Sequence, residues 1–150
     1  MRKYLFLILC VAAALMTACS DKDIPSEEPV ADSLPFEEFV SSVDFNAMVA
    51  DTLLNFKGGE GAVLMKMAQL NDNRVMLATL PKGSSVGYHA HVNDMEVIYV
   101  LQGTATILLD TTELVYTPGM VHYCPKGHGH KICNFGDEDL VTFNVVATQF

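Results

Sequence analysis

The feature that most restricts the fold of this chain is a texture. From Ala62 to Thr148, short runs of β-forming residues alternate with turn residues, and no stretch carries the period of a long amphipathic helix. The runs read AVLMKMAQL, RVMLATL, EVIYVL, TATILL, ELVYT, VHYC, HKICN and LVTFNVVAT. The breaks fall at Asn71-Asp72-Asn73, Pro81-Lys82-Gly83, Asn93-Asp94, Gln102-Gly103, Asp110 to Thr112, Pro118-Gly119, Lys126 to Gly129 and Gly136-Asp137. Many short strands at regular spacing predict an all-β sandwich or closed barrel. With 150 residues the chain has room for one such domain with a core of its own. Between Phe36 and Phe56 the apolar residues recur irregularly, which allows a helical turn or two.

The N-terminal end has a different character. Arg2 and Lys3 precede twelve apolar residues, Leu5 to Met16, and a small-residue exit at Thr17 and Ala18. Charge, apolar stretch and exit in that order read as an export signal, too short for a permanent membrane span of about 20 residues. Cys19 follows at once, then polar Ser20-Asp21-Lys22-Asp23. The junction resembles the lipobox of bacterial lipoproteins, with Met16 where that motif usually has leucine. The resemblance implies lipidation of Cys19 and anchoring to a bacterial membrane, on the periplasmic face or at the cell surface; ordinary cleavage to a free secreted protein is the alternative. Residues 1–18 are thus expected to be a signal peptide, and 19–57 a lipidated, acidic, proline-containing tether with a short N-terminal segment. The barrel would occupy 58–150.

Without residues 1–18 the formal charge is −11, from 7 bases and 18 acids. That sign disfavours nucleic acid as a partner, because phosphate binding needs the opposite one. Seven of the acids lie between Asp21 and Glu38 alongside Pro25, Pro29 and Pro35, a composition that self-repels and stays extended. Once Cys10 and Cys19 are set aside, Cys124 and Cys133 remain. An oxidising compartment permits a disulfide between them, and two separate buried thiols are the favoured reading.

Two of the five histidines, His89 and His91, stand one residue apart. On a strand they share a face. Glu96 lies at an odd step further on, and a hairpin at Asn93-Asp94 would bring it back beside them. His130 opens another β-run behind Gly127 and Gly129 and can add a third imidazole. Three imidazoles and a carboxylate suit one divalent transition metal, iron, manganese, zinc, nickel or copper.

At these residues the chain resembles a known family, the cupins. Their first motif is matched by Gly83, His89, His91, Glu96 and Gly103, and their second by Gly119, Pro125, Gly127, His130 and Asn134, all at the family spacing. The resemblance covers about Gly58 to Phe150. It implies a double-stranded β-helix, or jelly-roll, barrel with His89, His91, Glu96 and His130 around one metal in the barrel mouth. It also makes a homodimer an expectation, since dimers are common in the family and pairing covers exposed strand edges.

Other conspicuous residues take secondary roles. His122, His128, Tyr88 and Tyr123 are candidates for supporting the ligands or touching a substrate. Tyr99 is expected in core or sheet packing. Met65, Met67, Met76 and Met95 either line the pocket or fill it. Asn134 and the motif glycines are expected to serve tight turns. The family hosts isomerases, dioxygenases, lyases and plain binding proteins, so the fold does not choose among them. Phosphosugars are disfavoured, because Arg74 is the one arginine after the signal. The expectation is a metal-dependent enzyme acting on a small hydroxylated or carbonyl compound. The alternative is a non-catalytic lipoprotein that binds a small molecule or carbohydrate.

Overall fold

The computed structural model describes residues 42–149. The expected signal peptide, the Cys19 lipidation site and the acidic tether fall outside them. Among the described residues the chain forms ten strands: β1 Asp51–Leu54, β2 Ala62–Leu70, β3 Asn73–Leu80, β4 Ser85–Ala90, β5 Asp94–Gln102, β6 Ala105–Leu109, β7 Thr112–Tyr116, β8 Val121–Cys124, β9 Gly129–Cys133 and β10 Leu140–Thr148. All ladders are antiparallel, in a six-stranded sheet of order β1-β2-β3-β10-β5-β8 and a four-stranded sheet of order β4-β9-β6-β7.

Period-two patterning explains the layering. In β10, Leu140, Thr142, Asn144 and Val146 are buried while their neighbours are half-exposed. Leu80, Ile98, Val100, Ile107 and Leu140 sit in the core at 1% exposure or less. Each is worth about 1.5–3 kcal/mol by burial of its side chain. Of the segment Phe36 to Phe56, in which a helical turn or two was allowed, the described residues from 42 onward supply edge strand β1, and one 3-10 turn, Phe56–Gly58, follows. Its apolar residues pair and pack rather than wind: β1 lies against β2, and Phe45 meets Phe143 edge to face with centroids 6.1 Å apart.

The motif glycines do turn the chain. Gly103 has φ +78°, and a Cβ there would stand 2.6 Å from the Asp139 carbonyl oxygen, so both conformation and space require glycine. Asn134, fully buried, donates through Nδ2 to the carbonyls of Leu80 and Glu138, both at 2.8 Å, and accepts from the Gly136 N–H at 3.0 Å. It ties the end of β9 to the end of β3. Cys124 and Cys133 are free, buried thiols on strands of different sheets.

Candidate metal centre

The four expected ligands meet. Their approach is not through a hairpin at Asn93-Asp94: β4 pairs with β9 and β5 pairs with β10 and β8, so the turn carries the chain from one sheet to the other. The physical reason is that β5 has β10 along one edge and β8 along the other, leaving no edge for β4. Glu96 therefore reaches the histidines from the facing sheet. A register shift in β4 between Val86 and His89 also re-aims the chain, and His91 lies just past the strand, held by N–H donation to the His128 carbonyl at 2.8 Å.

Glu96 Oε2 lies 3.0 Å from His130 Nε2, 3.3 Å from His91 Nε2 and 3.8 Å from His89 Nε2. His130 Nε2 is 3.2 Å from the Nε2 atoms of both His91 and His89. Metal–nitrogen bonds of about 2.1 Å would separate neighbouring donors by roughly 3.0–3.4 Å in octahedral or tetrahedral packing. Four of the five separations have that spacing, and the His89–Glu96 one, at 3.8 Å, is wider.

The far side of each ring explains why the nitrogens face inward. His89 Nδ1–H donates to the Gly87 carbonyl at 3.0 Å, and His91 Nδ1–H to Asp94 Oδ1 at 2.9 Å. His130 Nδ1 stands 2.9 Å from His122 Nε2, whose own Nδ1 is 3.0 Å from the Tyr116 hydroxyl. With each Nδ1 carrying the proton, three Nε2 lone pairs and an anionic carboxylate oxygen point at one another. Such a set is repulsive unless positive charge lies among its members. The residues present thus fit a divalent cation on their own chemistry.

In place of a cation, protons on Nε2 supply that positive charge: burial pushes the Glu96 carboxyl up, but hydrogen bonds from His130, His89 and His91 through Nε2–H, and from Asn144, together outweigh it and hold the group well below the usual carboxylate range. The hydrogen bond to Glu96 raises His91 despite its burial, with Asp94 adding to the effect. Burial lowers His130, against the pull of Glu96. It also takes His122 down to about 4, the proximity of His130 adding to it, so His122 is neutral at ordinary pH and suited to accept a proton's hydrogen bond. His122, Cys124 and His130 make a second group of close donors. That group needs the His130 nitrogen already bonded to His122, and burial raises the Cys124 thiol to about 11, so the first set is the better cation seat.

The site opens on a cavity of about 470 Å³. Met65, Met67 and Met76 line it, and so do Arg74, Asp94, Thr142 and Asn144. Arg74 Nη2 is 3.2 Å from Asp94 Oδ2, which makes Asp94 a link between Arg74 and His91.

Of the four secondary candidates only His122 faces inward, at 1% exposure. Tyr88 and Tyr123 are on outer faces at 52% and 49%, and His128 is an exposed partner of Asp110 at 2.6 Å. Each of the tyrosines adjoins an inward residue in sequence, His89 or His122, and the pleat turns it outward. Tyr99 is likewise partly exposed on the outside, opposite Phe143 and Val121. Sequence reasoning passed over Asn144 and the Arg74–Asp94 pair. The signal for Asn144 was present: Thr142 and Asn144 are polar residues in phase with buried Leu140 and Val146.

Comparison with known proteins agrees with this architecture. A family model described as "Cupin domain" matches residues 76–146. An oxalate-binding protein of Thermotoga maritima is 32% identical over 102 residues, covering 64% of this chain and 84% of that protein. The crystal structure of a predicted oxalate decarboxylase from Thermotoga maritima superposes with a TM-score of 0.68 at 28% identity, covering 72% of this chain and 99% of the other. KdgF from Halomonas sp. shares the fold alone, with a TM-score of 0.60 at 16% identity over 75% of this chain and 94% of its own. A double-sheet barrel with an inward His/Glu donor cluster, matched along most of a relative's length, makes this chain a member of the cupin family.

Proposed function

We propose that this chain is a metal-dependent cupin in which one divalent transition cation, held by His89, His91, Glu96 and His130, takes a small hydroxylated or carbonyl compound by two adjacent oxygens. The observation that carries this reading is the set of three Nδ1 hydrogen bonds that aim three Nε2 lone pairs at the Glu96 carboxylate. When bound, the cation supplies a Lewis acid that polarises the ligand's oxygens. Glu96 neutralises part of its charge, and His122 and Asp94 keep His130 and His91 in the binding tautomer. The similarity to an oxalate-binding protein and to a predicted oxalate decarboxylase supports a ligand with a carboxylate headgroup and, among the lyase, dioxygenase and isomerase types such a site admits, favours the lyase.

A second reading, non-catalytic binding of a small molecule or carbohydrate, is favoured by one observation. Among the described residues lining the cavity, Asp94, Glu96, His89 and His91 all have partners, so no carboxylate or imidazole there is uncommitted as a general base. Metal analysis of purified protein and of Glu96→Gln and His89→Ala separates the possibilities. One equivalent bound by the parent and markedly less by the variants supports the site, and equal loading of all three refutes it. Product formed from oxalate or hydroxy acids then marks an enzyme; saturable binding without product marks a binding protein.

Export and lipid anchoring belong to the same proposal. Arg2, Lys3, the apolar run and Cys19 support them. Acyl-chain labelling in a bacterial host should be lost in Cys19→Ser; labelling that persists rules the anchor out.

A further inference from the structure

Charge describes the ligand of this cavity more closely than the metal site alone. Besides histidines, the charged side chains on its lining are Lys57, Arg74, Asp94 and Glu96. Both acids are taken: Asp94 by Arg74 and His91, Glu96 by Asn144 and the three histidines. Both bases have donors to spare. Arg74, 41% exposed, uses only Nη2, and Lys57 is exposed with its ammonium 5.8 Å from the centre of the Phe56 ring. The other Arg74 N–H groups and Lys57 Nζ have no hydrogen-bond partner among the described residues. Lys57 and Arg74 together cancel Asp94 and Glu96, so a seated divalent cation leaves a formal surplus of two positive charges. In a chain with 7 bases against 18 acids beyond residue 18, two of the seven meet at one cavity. A pocket of that sign favours a dianion.

The backbone singles out Lys57 a second time. Its φ of +58° and ψ of +24° lie in the left-handed region, which costs a side-chain-bearing residue energy that glycine is spared. Glycine occupies the next two positions, Gly58 and Gly59, yet position 57 carries a lysine. Packing holds the segment there. A Cβ on Gly87 would collide with the Lys57 carbonyl oxygen, and one on Gly59 with that of Ser85, so the turn lies backbone to backbone on β4. The Gly87 carbonyl in turn accepts from His89 Nδ1–H, which fixes Lys57 relative to the cation seat. Strain tolerated at a cavity wall points to a use for the side chain that bears it.

Oxalate has six non-hydrogen atoms; at no more than about 30 Å³ each, a water molecule's share of liquid, it displaces at most about 180 Å³. The cavity holds about 470 Å³, and Asp94 stands between Arg74 Nη2 and His91, so there is room for a longer ligand. Resting on the metal-dependent reading above, we propose that the ligand is a 2-hydroxy or 2-oxo dicarboxylate longer than oxalate, its chelating end facing the four metal ligands and its far carboxylate received by Lys57 and Arg74. A far carboxylate matches the surplus charge, and a far phosphate exceeds it.

The test is calorimetric titration of the zinc-loaded full chain with malate and 2-hydroxyglutarate. Each is compared with its ω-amide, which keeps the shape and loses the far charge, and with lactate, which lacks the far group. At least one diacid should bind about tenfold tighter than its amide at low salt, the advantage shrinking as salt is raised. Lys57→Gln and Arg74→Gln, each checked for retained zinc, should cut that ratio several-fold while lactate binds as before. Lys57→Gly should cut it too, with an unchanged or raised melting temperature, because glycine adopts φ +58° without strain. Diacids binding no tighter than their amides, or a ratio unchanged in either glutamine variant, overturns the proposal and leaves the metal reading standing. Failure of the parent to retain zinc, seen before any acid is added, removes both.

Discussion

Replacing His122 by leucine tests the link between the barrel interior and the candidate metal centre. The substitution keeps an apolar side chain of similar bulk but deletes the nitrogen that lies 2.9 Å from His130 Nδ1. In the metal-free protein the loss is small. His130 can move its proton to Nε2 and donate to Glu96 Oε2, which is 3.0 Å away. With Nε2 committed to a cation that escape is closed, and the Nδ1–H remains in a side chain of 0% exposure with nothing to accept it. An orphaned buried donor costs about 1–3 kcal/mol, which corresponds to a roughly 5- to 150-fold loss of affinity. This range spans the 10- to 100-fold effect typical of partners behind metal-bound histidine. Competition with a chromophoric chelator measures it, while circular-dichroism melting of the metal-free proteins reports the fold separately. His122→Gln, which restores an acceptor oxygen, should recover most of the affinity. Zinc affinity within twofold of the parent in His122→Leu, or equal weakening in the leucine and glutamine variants, would refute the reasoning.

Three further predictions concern pH, packing and thiol chemistry. Because Glu96 and then Asp94 raise His91, a cation must displace a proton held more tightly than by a free imidazole; zinc uptake should release protons, with apparent affinity rising as pH increases through the titration of His91. Titration in two buffers of different ionisation enthalpy checks this, and identical heats would contradict it. Asn134→Ala removes one buried and one part-buried donation to backbone carbonyls and should destabilise the fold by about 2–4 kcal/mol in urea titration, against under 0.5 kcal/mol for a control at exposed Asp137. Cys124, buried at 0% exposure with its thiol raised to about 11, should resist iodoacetamide at pH 8 until denaturant is added.

How much of this was legible in the sequence follows from which forces are local. The runs from AVLMKMAQL to LVTFNVVAT correspond to strands because alternation and turn chemistry act within a few residues. The donors His89, His91, Glu96 and His130 could be named from spacing, since the motif records positions along the chain. The route by which Glu96 arrives could not. Whether a turn at Asn93 closes a hairpin or crosses to the facing sheet depends on which edges are already occupied, a property of the assembled barrel. The same holds for His122: its place behind His130 arises because β8 and β9 belong to opposite sheets whose interiors meet. β1 escaped notice because a four-residue edge strand such as DTLL carries almost no periodic signal of its own.

His89 and His130 come from the four-stranded sheet, Glu96 from the six-stranded one, and His91 from the crossing between them. A cation in this seat is therefore a rivet through both walls, and parting the walls means extracting a charge from its donors. Chelation should accordingly loosen the strands on either side of that seat, so amide hydrogens of β4, β5 and β9 would exchange together and sooner, while those of edge strand β7, which lends no residue to the cavity, keep their pace.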